Sequence, residues 1–320
     1  RHALGRRLDP SWGLSHEIGI RFWRHQFTRA MTMGNIAAGR AYFDSLQTRG
    51  DEVVAVSRER VQHPVPGTWV TPKVPTSQAT LLYFHGGGYT FDAHMTDDFA
   101  DLIAARTGAR LFQADYRLTP EHEHPAQAED ALAAYRALLE ETDPSRLVLV
   151  GDSAGGHMAL MTLLAAREAG LAQPVLCIGL SPWTDIGARG ASLTAHDRFD
   201  LVQGWMALRF GEWLTGGEVT RHRAALSPIS HDFSGLCPLY LQGGGKVVLI
   251  DMIRDFAQVQ ADYGASVCLD VWPNMTHDFF GYGSLRPEAE AALDRIRTAI
   301  EAALEGRPVP DGPMTQTRAL

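Results

Sequence analysis

The sequence predicts an α/β fold, in which a mostly parallel central sheet is flanked by helices and carries a helical cap. Short apolar runs such as 147–150 alternate with helical stretches such as 126–141 over most of the chain. Strands that alternate with helices form parallel sheets with right-handed crossovers. The 320 residues, 45% of them hydrophobic, are enough for one large domain with an insertion or for two small domains.

Residues 1–50 are predicted to form a helical segment. Across 12–46, aromatic and apolar residues recur at helical spacing among basic ones, as Ile20, Trp23 and Phe27 do. This periodicity predicts two amphipathic helices. We expect the basic residues to lie on the solvated face of these helices.

The main domain is predicted to span residues 51–305. Apolar and β-branched runs predict strands at 52–56, 67–71, 80–84, 109–114, 147–150, 175–180, 238–243 and 267–271. Helical periodicity predicts helices at 96–107, 126–141 and 155–169. The first two strands are expected to form an antiparallel edge beside the parallel strands.

Two further segments lie outside this alternation. Residues 187–220 are rich in Trp, Arg and Gly and contain a helical run at 202–213. Because loops at the carboxyl edge of a sheet select substrates, we interpret this insertion as part of a cap. Residues 306–320 are rich in turn formers and polar residues, which predicts a flexible tail.

Ser153 lies in Gly-Asp-Ser-Ala-Gly, between a predicted strand and a predicted helix. A Gly-x-Ser-x-Gly turn strains the backbone at the serine and projects its Oγ from the carboxyl edge of the sheet. The first amides of the following helix, beginning with Ala154, face the place where an oxyanion would form. An ordinary glycine-rich turn with a solvated serine is the alternative, and this motif alone does not decide between them.

A second motif, His85-Gly-Gly-Gly-Tyr89, follows the predicted strand at 80–84. Three consecutive glycines let the backbone fold back with its amides facing inward, as an oxyanion hole made of main-chain donors requires. We therefore predict Gly87 and Gly88 as oxyanion donors alongside Ala154. The two motifs together favour Ser153 as a nucleophile.

These motifs resemble those of the hormone-sensitive-lipase-like α/β-hydrolases, in their bacterial esterase and lipase branch. The resemblance runs from about Leu81 to about Tyr282 and includes HGGGY at His85, DYRLTPEHEHPAQAEDALAAY from Asp115, GDSAGG at Gly151, SPWTD at Ser181, SPISHDFSGLCPLYLQ from Ser227 and MTHDFFGYG at Met275. It implies an α/β-hydrolase fold whose cap combines residues 1–50 with the insertion near 187–220. Met31, Met33 and Phe43 then either line the cap or pack against the main domain.

His277 is the predicted general base. A serine hydroxyl is a weak nucleophile, so it needs a base within hydrogen-bond reach and a third group to orient that base. His277 follows the predicted strand at 267–271, and the order serine then histidine is that of the α/β-hydrolases. Most of the thirteen histidines are expected to be solvated or structural, with His85 as an anchor of the oxyanion loop.

The third member of the triad departs from the resemblance. In the family, the loop after the strand at 239–243 carries an acid, then a leucine two positions on and an aspartate four positions on. Leu249 and Asp251 match the later positions, which places Val247 where the acid should be. A valine side chain cannot accept a hydrogen bond from the imidazole.

Three interpretations of the acid stay open. Asp251 reaches the histidine by a shift of its loop; Asp185, after the preceding strand, supplies a relocated acid; or Ser153 and His277 act as a dyad. Each aspartate also has a structural interpretation: Asp251 as a charge at a helix N-terminus and Asp185 as an acceptor that braces a loop.

The resemblance implies a serine hydrolase that cleaves short- to medium-chain carboxylic esters through an acyl-enzyme at Ser153. It implies no metal and no organic cofactor, a small-molecule ester as partner, and a homodimer as a candidate assembly. The valine at 247 leaves open a divergent member that catalyses specialised acyl transfer, amide hydrolysis, elimination or cyclisation. It also leaves open a ligand-binding protein without catalysis, as the plant gibberellin receptors are, although the retained Ser153, His277 and HGGG loop argue against it.

Charge and cysteine content bound the other function classes. The net charge of −8 and the lack of a Lys or Arg cluster argue against a nucleic-acid or anionic-membrane partner. Three cysteines show neither a disulfide framework nor a metal-ligand spacing, which favours free thiols in a reducing compartment. With no signal peptide or membrane span visible, we expect a cytoplasmic protein.

Overall fold

A computed structural model describes residues 7–46, 55–92 and 94–319 of the chain. In this part of the chain the strands form one mixed sheet, in the order β1-β2-β4-β3-β5-β6-β7-β8-β9. The strands are β1 (Val56–Val61), β2 (Gly67–Pro72), β3 (Thr80–Phe84), β4 (Arg110–Ala114), β5 (Leu147–Asp152), β6 (Leu176–Leu180), β7 (Leu239–Gly244), β8 (Val267–Trp272) and β9 (Thr315–Ala319). The strand predicted at 52–56 falls mostly outside the described residues, and β1 begins at its last residue.

Helices connect the strands and cover the sheet. They are α1 (Leu14–Met31), α2 (Ile36–Asp44), α3 (His94–Thr107), α4 (Ala126–Glu141), α5 (Ala154–Glu168), α6 (Ser192–Ala195), α7 (Gly204–Leu214), α8 (Val219–Leu226), α9 (Ile250–Tyr263) and α10 (Pro287–Leu304). The predicted helices at 96–107, 126–141 and 155–169 correspond to α3, α4 and α5 within two residues at each end.

The six central strands, from β4 to β8 in the sheet order, run parallel. Strands β1 and β2 form the predicted antiparallel edge next to β4. The α/β-hydrolase fold with a mostly parallel sheet is thus confirmed.

The sheet is buried on both faces because its central strands are apolar throughout. On β3, Leu82 and Phe84 belong to one core cluster, which also contains residues of α4, α5 and α9. Leu81 and Tyr83 point to the opposite face and pack with residues of α3 and α10. The alternation follows the two-residue period of a strand, and burial on both faces explains why the sequence shows continuous apolar runs.

Helices from two separate parts of the chain pack together. Helices α1 and α2 come from the N-terminal segment, and α6, α7 and α8 come from the insertion, which continues to Leu226 rather than ending near 220. The two parts meet in a small apolar cluster that contains Trp12 and Ile20 from the N-terminal side and Phe199 and Leu201 from the insertion.

The end of the chain corrects the expectation of a flexible tail over 306–320. Thr315–Ala319 pairs antiparallel with β8 as the last strand of the sheet. An uncovered β8 would present a row of unpaired backbone groups, and β9 satisfies them. The Thr315 hydroxyl also donates to the buried Asp270 carboxylate at 2.5 Å.

In the described part of the chain, no helix is both long and apolar enough to cross a membrane. Cys177, Cys237 and Cys268 are buried as free thiols.

Candidate active site

The parallel strands bring four loops to one edge of the sheet. The loops after β3, β5, β7 and β8 carry the HGGG motif, Ser153, Val247 and His277 respectively. These strands run parallel within one sheet, with only β6 between β5 and β7, so their carboxyl ends meet at this edge.

Ser153 has φ 52° and ψ −115°, a backbone conformation that L-residues rarely adopt. The turn is tight, because a Cβ on Gly155 would lie 1.9 Å from the carbonyl oxygen of Phe84. Ala154 is the first residue of α5, so its amide has no acceptor within the helix. The turn therefore presents a serine hydroxyl beside a free helix-terminal amide.

The glycine loop lies next to this turn. Gly87 has φ 91°, and a Cβ there would lie 2.1 Å from the carbonyl oxygen of Phe91, so only glycine fits. The carbonyl of Gly87 accepts the amides of Thr90 and Phe91, which closes the loop into a compact turn. Gly87 and Gly88 line the same cavity as Ser153 and Ala154.

Asp152 links the serine turn to the glycine loop. Its carboxylate accepts the Tyr83 hydroxyl at 2.5 Å and the Gly86 amide at 3.0 Å. Burial raises the pKa of Asp152 to about 6. The hydrogen bond from Tyr83 lowers this pKa, but the effect of burial is larger. The residue before the nucleophile thus holds the oxyanion loop in register with it.

His85 has the anchoring role predicted for it. Its ring stacks on Tyr116 with 4.3 Å between centroids. The Tyr116 hydroxyl donates to the main-chain carbonyl of His85 at 2.7 Å.

His277 is 4% exposed and lines the cavity together with Ser153. Burial lowers the pKa of its imidazole to about 3, so the ring is neutral at neutral pH and can accept a proton. Its Nε2 lies 3.2 Å from Oδ2 of Asp278, while its Nδ1 is buried and has no hydrogen-bond partner in the part of the chain that the structure describes.

Asp278, the residue after the histidine, sits in the left-handed region with φ 47°. Burial raises the pKa of its carboxyl well above the ordinary value, and the charges of Asp152 and Asp200 raise it further. The raised pKa favours the protonated carboxyl, which can donate a hydrogen bond to Nε2 of His277.

Val247 is fully buried, and neither aspartate predicted to replace an acid there lies against the histidine ring. Asp251 accepts the amide of Ser192 at 2.8 Å. Asp185 is bound by the guanidinium groups of Arg223 and Arg189, and these hydrogen bonds lower its pKa although burial raises it. Both aspartates hold the insertion in place, which agrees with their structural interpretations.

The carboxylate nearest to His277 from the cap belongs to Asp200, which sequence reasoning missed. Its Oδ1 accepts the main-chain amide of His277 at 2.8 Å, and its Oδ2 accepts the amide of Val248 at 2.9 Å. The side chain is fully buried, and burial raises its pKa to about 7. The only hint in the sequence is an acidic residue between Phe199 and Leu201, where an apolar residue would continue the run.

The cavity above Ser153 has a volume of about 50 Å³. Its walls are mainly aromatic and aliphatic, with Phe27 and Phe43 from the N-terminal helices, Phe91 and Met95 from the segment after the glycine loop, and Trp183, Val202, Ala207 and Phe210 from the insertion side. Phe43 therefore lines the site, as one interpretation of the sequence expected. Met31 packs against the core instead.

Among the described residues, no three His, Cys, Asp or Glu side chains converge on a common metal position. The polar side chains that line the cavity are those of Thr96, Asp152, Ser153, Trp183, His277 and Asp278.

Residues 81–281 match the family model of the alpha/beta hydrolase fold. The chain belongs to the α/β-hydrolase family. The match begins in β3 and ends just after His277, so it contains the glycine loop, the serine turn and the histidine of this hydrolase.

Similar proteins extend this result to most of the hydrolase. An acetyl-hydrolase of Streptomyces hygroscopicus is 36% identical over 229 residues, 71% of this chain and 76% of that protein. An ethyl acetate hydrolase of Pseudomonas putida is 31% identical over 242 residues, 70% of this chain and 73% of that protein. A crystal structure of an esterase from the bacterial hormone-sensitive lipase family superposes with a TM-score of 0.83 at 30% identity, covering 92% of this chain and 99% of that one. The resemblance to the hormone-sensitive-lipase-like branch is confirmed.

Proposed function

We propose that this hydrolase cleaves short-chain carboxylic esters through an acyl-enzyme at Ser153. One observation carries the proposal: a strained serine, the amides of two glycines and a helix N-terminus, and a neutral histidine surround a single apolar cavity. The similar proteins that are named as acetyl-hydrolase and ethyl acetate hydrolase support the same chemistry.

The reaction follows from these groups. The His277 ring turns from Asp278 towards Ser153 and takes the hydroxyl proton as Oγ attacks the ester carbonyl. The oxyanion that forms accepts hydrogen bonds from the amides of Gly87, Gly88 and Ala154. His277 then gives its proton to the leaving alcohol, and a water molecule releases the acid by the same steps in reverse.

The test compares the unmodified protein with Ser153→Ala. The unmodified protein should hydrolyse p-nitrophenyl acetate, and Ser153→Ala should reduce the rate by about 10⁴-fold or more. Ser145→Ala, at the opposite end of β5, is the matched control and should keep full activity. Equal rates for the unmodified protein and Ser153→Ala would reject the proposal.

Labelling by a fluorophosphonate separates catalysis from ligand binding alone. A serine activated by a base should be labelled stoichiometrically, and Ser153→Ala should not be labelled. A protein that binds esters but resists labelling would be a ligand-binding member of the family.

We infer a preference for short acyl chains from the size of the cavity. Its volume of about 50 Å³ is far below the roughly 300 to 1,000 Å³ of pockets for drug-sized ligands. The rings of Phe27, Phe43 and Phe91 pack against one another at its wall, with centroids 4.7 and 5.6 Å apart. Among p-nitrophenyl esters, kcat/KM should be highest for acetate or butyrate and fall for longer chains.

Phe43→Leu tests this inference because it shortens one wall. The ratio of kcat/KM for octanoate to that for acetate should rise about three- to tenfold. Phe22→Leu, on the exposed face of α1, is the control and should leave the ratio unchanged. An unmodified protein that already prefers octanoate would contradict the inference but not the ester hydrolysis.

We retain a cytoplasmic location and a homodimer as proposals. The buried free thiols support a reducing compartment. Fractionation of cells that express the full chain would test the location, and light scattering of the purified protein would test the dimer.

A further inference from the structure

We propose that Asp200, which the cap insertion carries, is the carboxylate that orients His277 in place of the acid missing at Val247. The proposal rests on the proposed function, since it concerns the base of that reaction. Asp200 would act through His277 and is therefore a positioning residue rather than a residue that contacts the substrate.

The carboxylate of Asp200 lies between the histidine loop and the loop of Val247. Its Oδ1 accepts the main-chain amides of Leu201 at 2.9 Å and His277 at 2.8 Å. Its Oδ2 accepts the amide of Val248 at 2.9 Å. Asp200 thus connects the histidine loop with the loop of Val247. A carboxylate at position 247 would bind the histidine from the same loop.

Within the described part of the chain, one nitrogen of His277 and one acceptor site of Asp200 remain unused. A carboxylate has about four lone-pair sites, and the three amides occupy three of them. The Nδ1 of His277 is buried and has no partner among the described residues. When the ring turns and Nε2 moves from Asp278 to Ser153, Nδ1 moves as well. Asp200 already binds the main-chain amide of His277, so its carboxylate is the one that Nδ1 would meet.

Hydrogen bonds fasten the insertion to the loop of Val247 at several places. The Ser192 hydroxyl donates to the carbonyl of Val248 at 2.8 Å, and the amide of Ser192 donates to Asp251. His196 lies 3.1 Å from the carbonyl of Val247. Asp251, one of the aspartates predicted as the acid, thereby anchors the segment that carries Asp200.

The N-terminal segment supports the Asp200 segment as well. Phe199 and Leu201, on either side of Asp200, pack against Trp12 and Ile20. The Arg24 guanidinium donates to the main-chain carbonyl of Asp200 at 3.0 Å. These contacts hold the Asp200 carboxylate in a fixed position, which the orientation of a catalytic histidine requires.

Three titratable or charged groups face Asp200 and bear on its protonation. Asp278 and Tyr282 belong to the histidine segment, and Arg24 belongs to α1. The raised pKa of the Asp278 carboxyl favours its uncharged form, and the Arg24 guanidinium favours an ionised Asp200. An ionised carboxylate bound to Nδ1 would raise the pKa of His277 above that of an imidazole without such a partner.

The experiment compares Asp200→Asn with the double variant Asp200→Asn/Val247→Asp. Asp200→Asn should lower kcat for p-nitrophenyl acetate by about 10²- to 10⁴-fold with little change in KM; the upper figure is that of the acid-to-amide change in serine proteases. The double variant, which returns a carboxylate to the family's position, should regain at least tenfold. Val247→Asp alone should give no gain, because Asp200 already fills the role.

The pH profile distinguishes an orienting carboxylate from a structural one. In Asp200→Asn the acid limb of kcat/KM should move to lower pH, because the histidine loses the charge that raises its pKa. Asp270→Asn is the matched control, since Asp270 is equally buried but is bound by Arg295 and Tyr240 and does not line the cavity. In Asp270→Asn the acid limb of kcat/KM should stay at the same pH as in the unmodified protein.

Four outcomes would overturn the proposal. They are kcat of Asp200→Asn within threefold of the unmodified protein, a drop with no recovery in the double variant, a gain of tenfold or more from Val247→Asp alone, or a loss confined to Asp251→Asn or Asp185→Asn.

A measurement on the unmodified protein covers the case in which Asp200→Asn does not fold. When Nδ1 of a neutral imidazole donates its proton to an ionised carboxylate, that proton gives a far-downfield NMR resonance, which should be present in the unmodified protein at pH 8 and absent in His277→Gln. Its absence from the unmodified protein would overturn the proposal. If the unmodified protein neither hydrolyses esters nor reacts with a fluorophosphonate, the proposed function fails; if it does both and Asp200→Asn behaves normally, only the role of Asp200 fails.

Discussion

The two halves of the active site are built in different ways. The nucleophile half consists of two short stretches of chain, the glycine loop at 85–89 and the serine turn at 151–155, and its essential groups are main-chain amides and one hydroxyl. The base half joins His277 with a carboxylate that lies 77 residues away in the chain, on the cap.

This difference shows which functional groups of an active site can be supplied from different positions in the sequence. A main-chain oxyanion hole depends on backbone conformation, so its glycines are fixed by the space around them, as Gly87 is by the carbonyl of Phe91. A carboxylate that orients an imidazole depends only on its final position, so any loop that reaches that position can supply it. In this hydrolase position 247 carries an apolar valine, and the insertion brings Asp200 to the histidine loop.

The largest expected effect concerns the nucleophile half. Gly87→Ala should lower kcat by about 10²- to 10³-fold, because a Cβ 2.1 Å from the Phe91 carbonyl oxygen forces the loop to move and the oxyanion loses a donor. Steady-state kinetics with p-nitrophenyl acetate would measure it. Gly170→Ala is the control, since Gly170 also has a positive φ but no atom within 4 Å of an added Cβ; a similar loss there would show that the effect is general strain.

The second prediction concerns the buried charge of the base half. Burial raises the pKa of Asp200 from 3.8 to about 7, so between these pH values the folded protein holds a proton that the unfolded chain releases. Stability from this group is therefore full below about pH 4 and declines as pH rises towards 7. Relative to Asp200→Asn, the free energy of unfolding of the unmodified protein should fall by up to about 1.4 kcal/mol per pH unit in this window.

Urea unfolding of both proteins at several pH values between 4 and 8 would measure this difference. Parallel stability curves would mean that Asp200 ionises as readily in the folded protein as in the unfolded chain.

The third prediction concerns the support of Asp200 by the N-terminal segment. Arg24→Ala removes the hydrogen bond to the Asp200 carbonyl and the ion pair with Asp197, so kcat should fall about tenfold as the carboxylate loses its fixed position. Arg21→Ala is the control on the same helix, because Arg21 pairs with Glu17 within α1. Equal kcat values for the two variants would show that α1 does not position the acid.

The smallest expected effect concerns the attachment of the insertion to the loop of Val247. Ser192→Ala removes the hydrogen bonds of the hydroxyl with the Val248 carbonyl and the Asp251 amide, and kcat should fall about three- to fivefold. Thr194→Ala, two residues on and exposed, is the control. A loss in both variants would indicate general loosening of α6 rather than loss of this attachment.

The chain by itself determined the fold and the nucleophile half. Buried strands and amphipathic helices can be recognised from hydrophobic periodicity, because the side-chain pattern repeats within each element. The elements α3, α4, α5 and β3 to β8 were therefore predictable nearly to their ends. The serine turn and the glycine loop were predictable for a related reason: each is completed within five residues.

Only the tertiary structure decided which carboxylate lies beside the histidine and which strand forms the edge of the sheet. Asp251 and Asp185 were reasonable choices by position after a strand, but each finds other partners, an amide of the insertion and two arginines. Asp200 reaches His277 because Phe199 and Leu201 pack on the N-terminal helices, and β9 forms because β8 offers an open edge. These contacts join residues far apart in the chain, and their energy depends on burial and distance, which local sequence patterns do not encode.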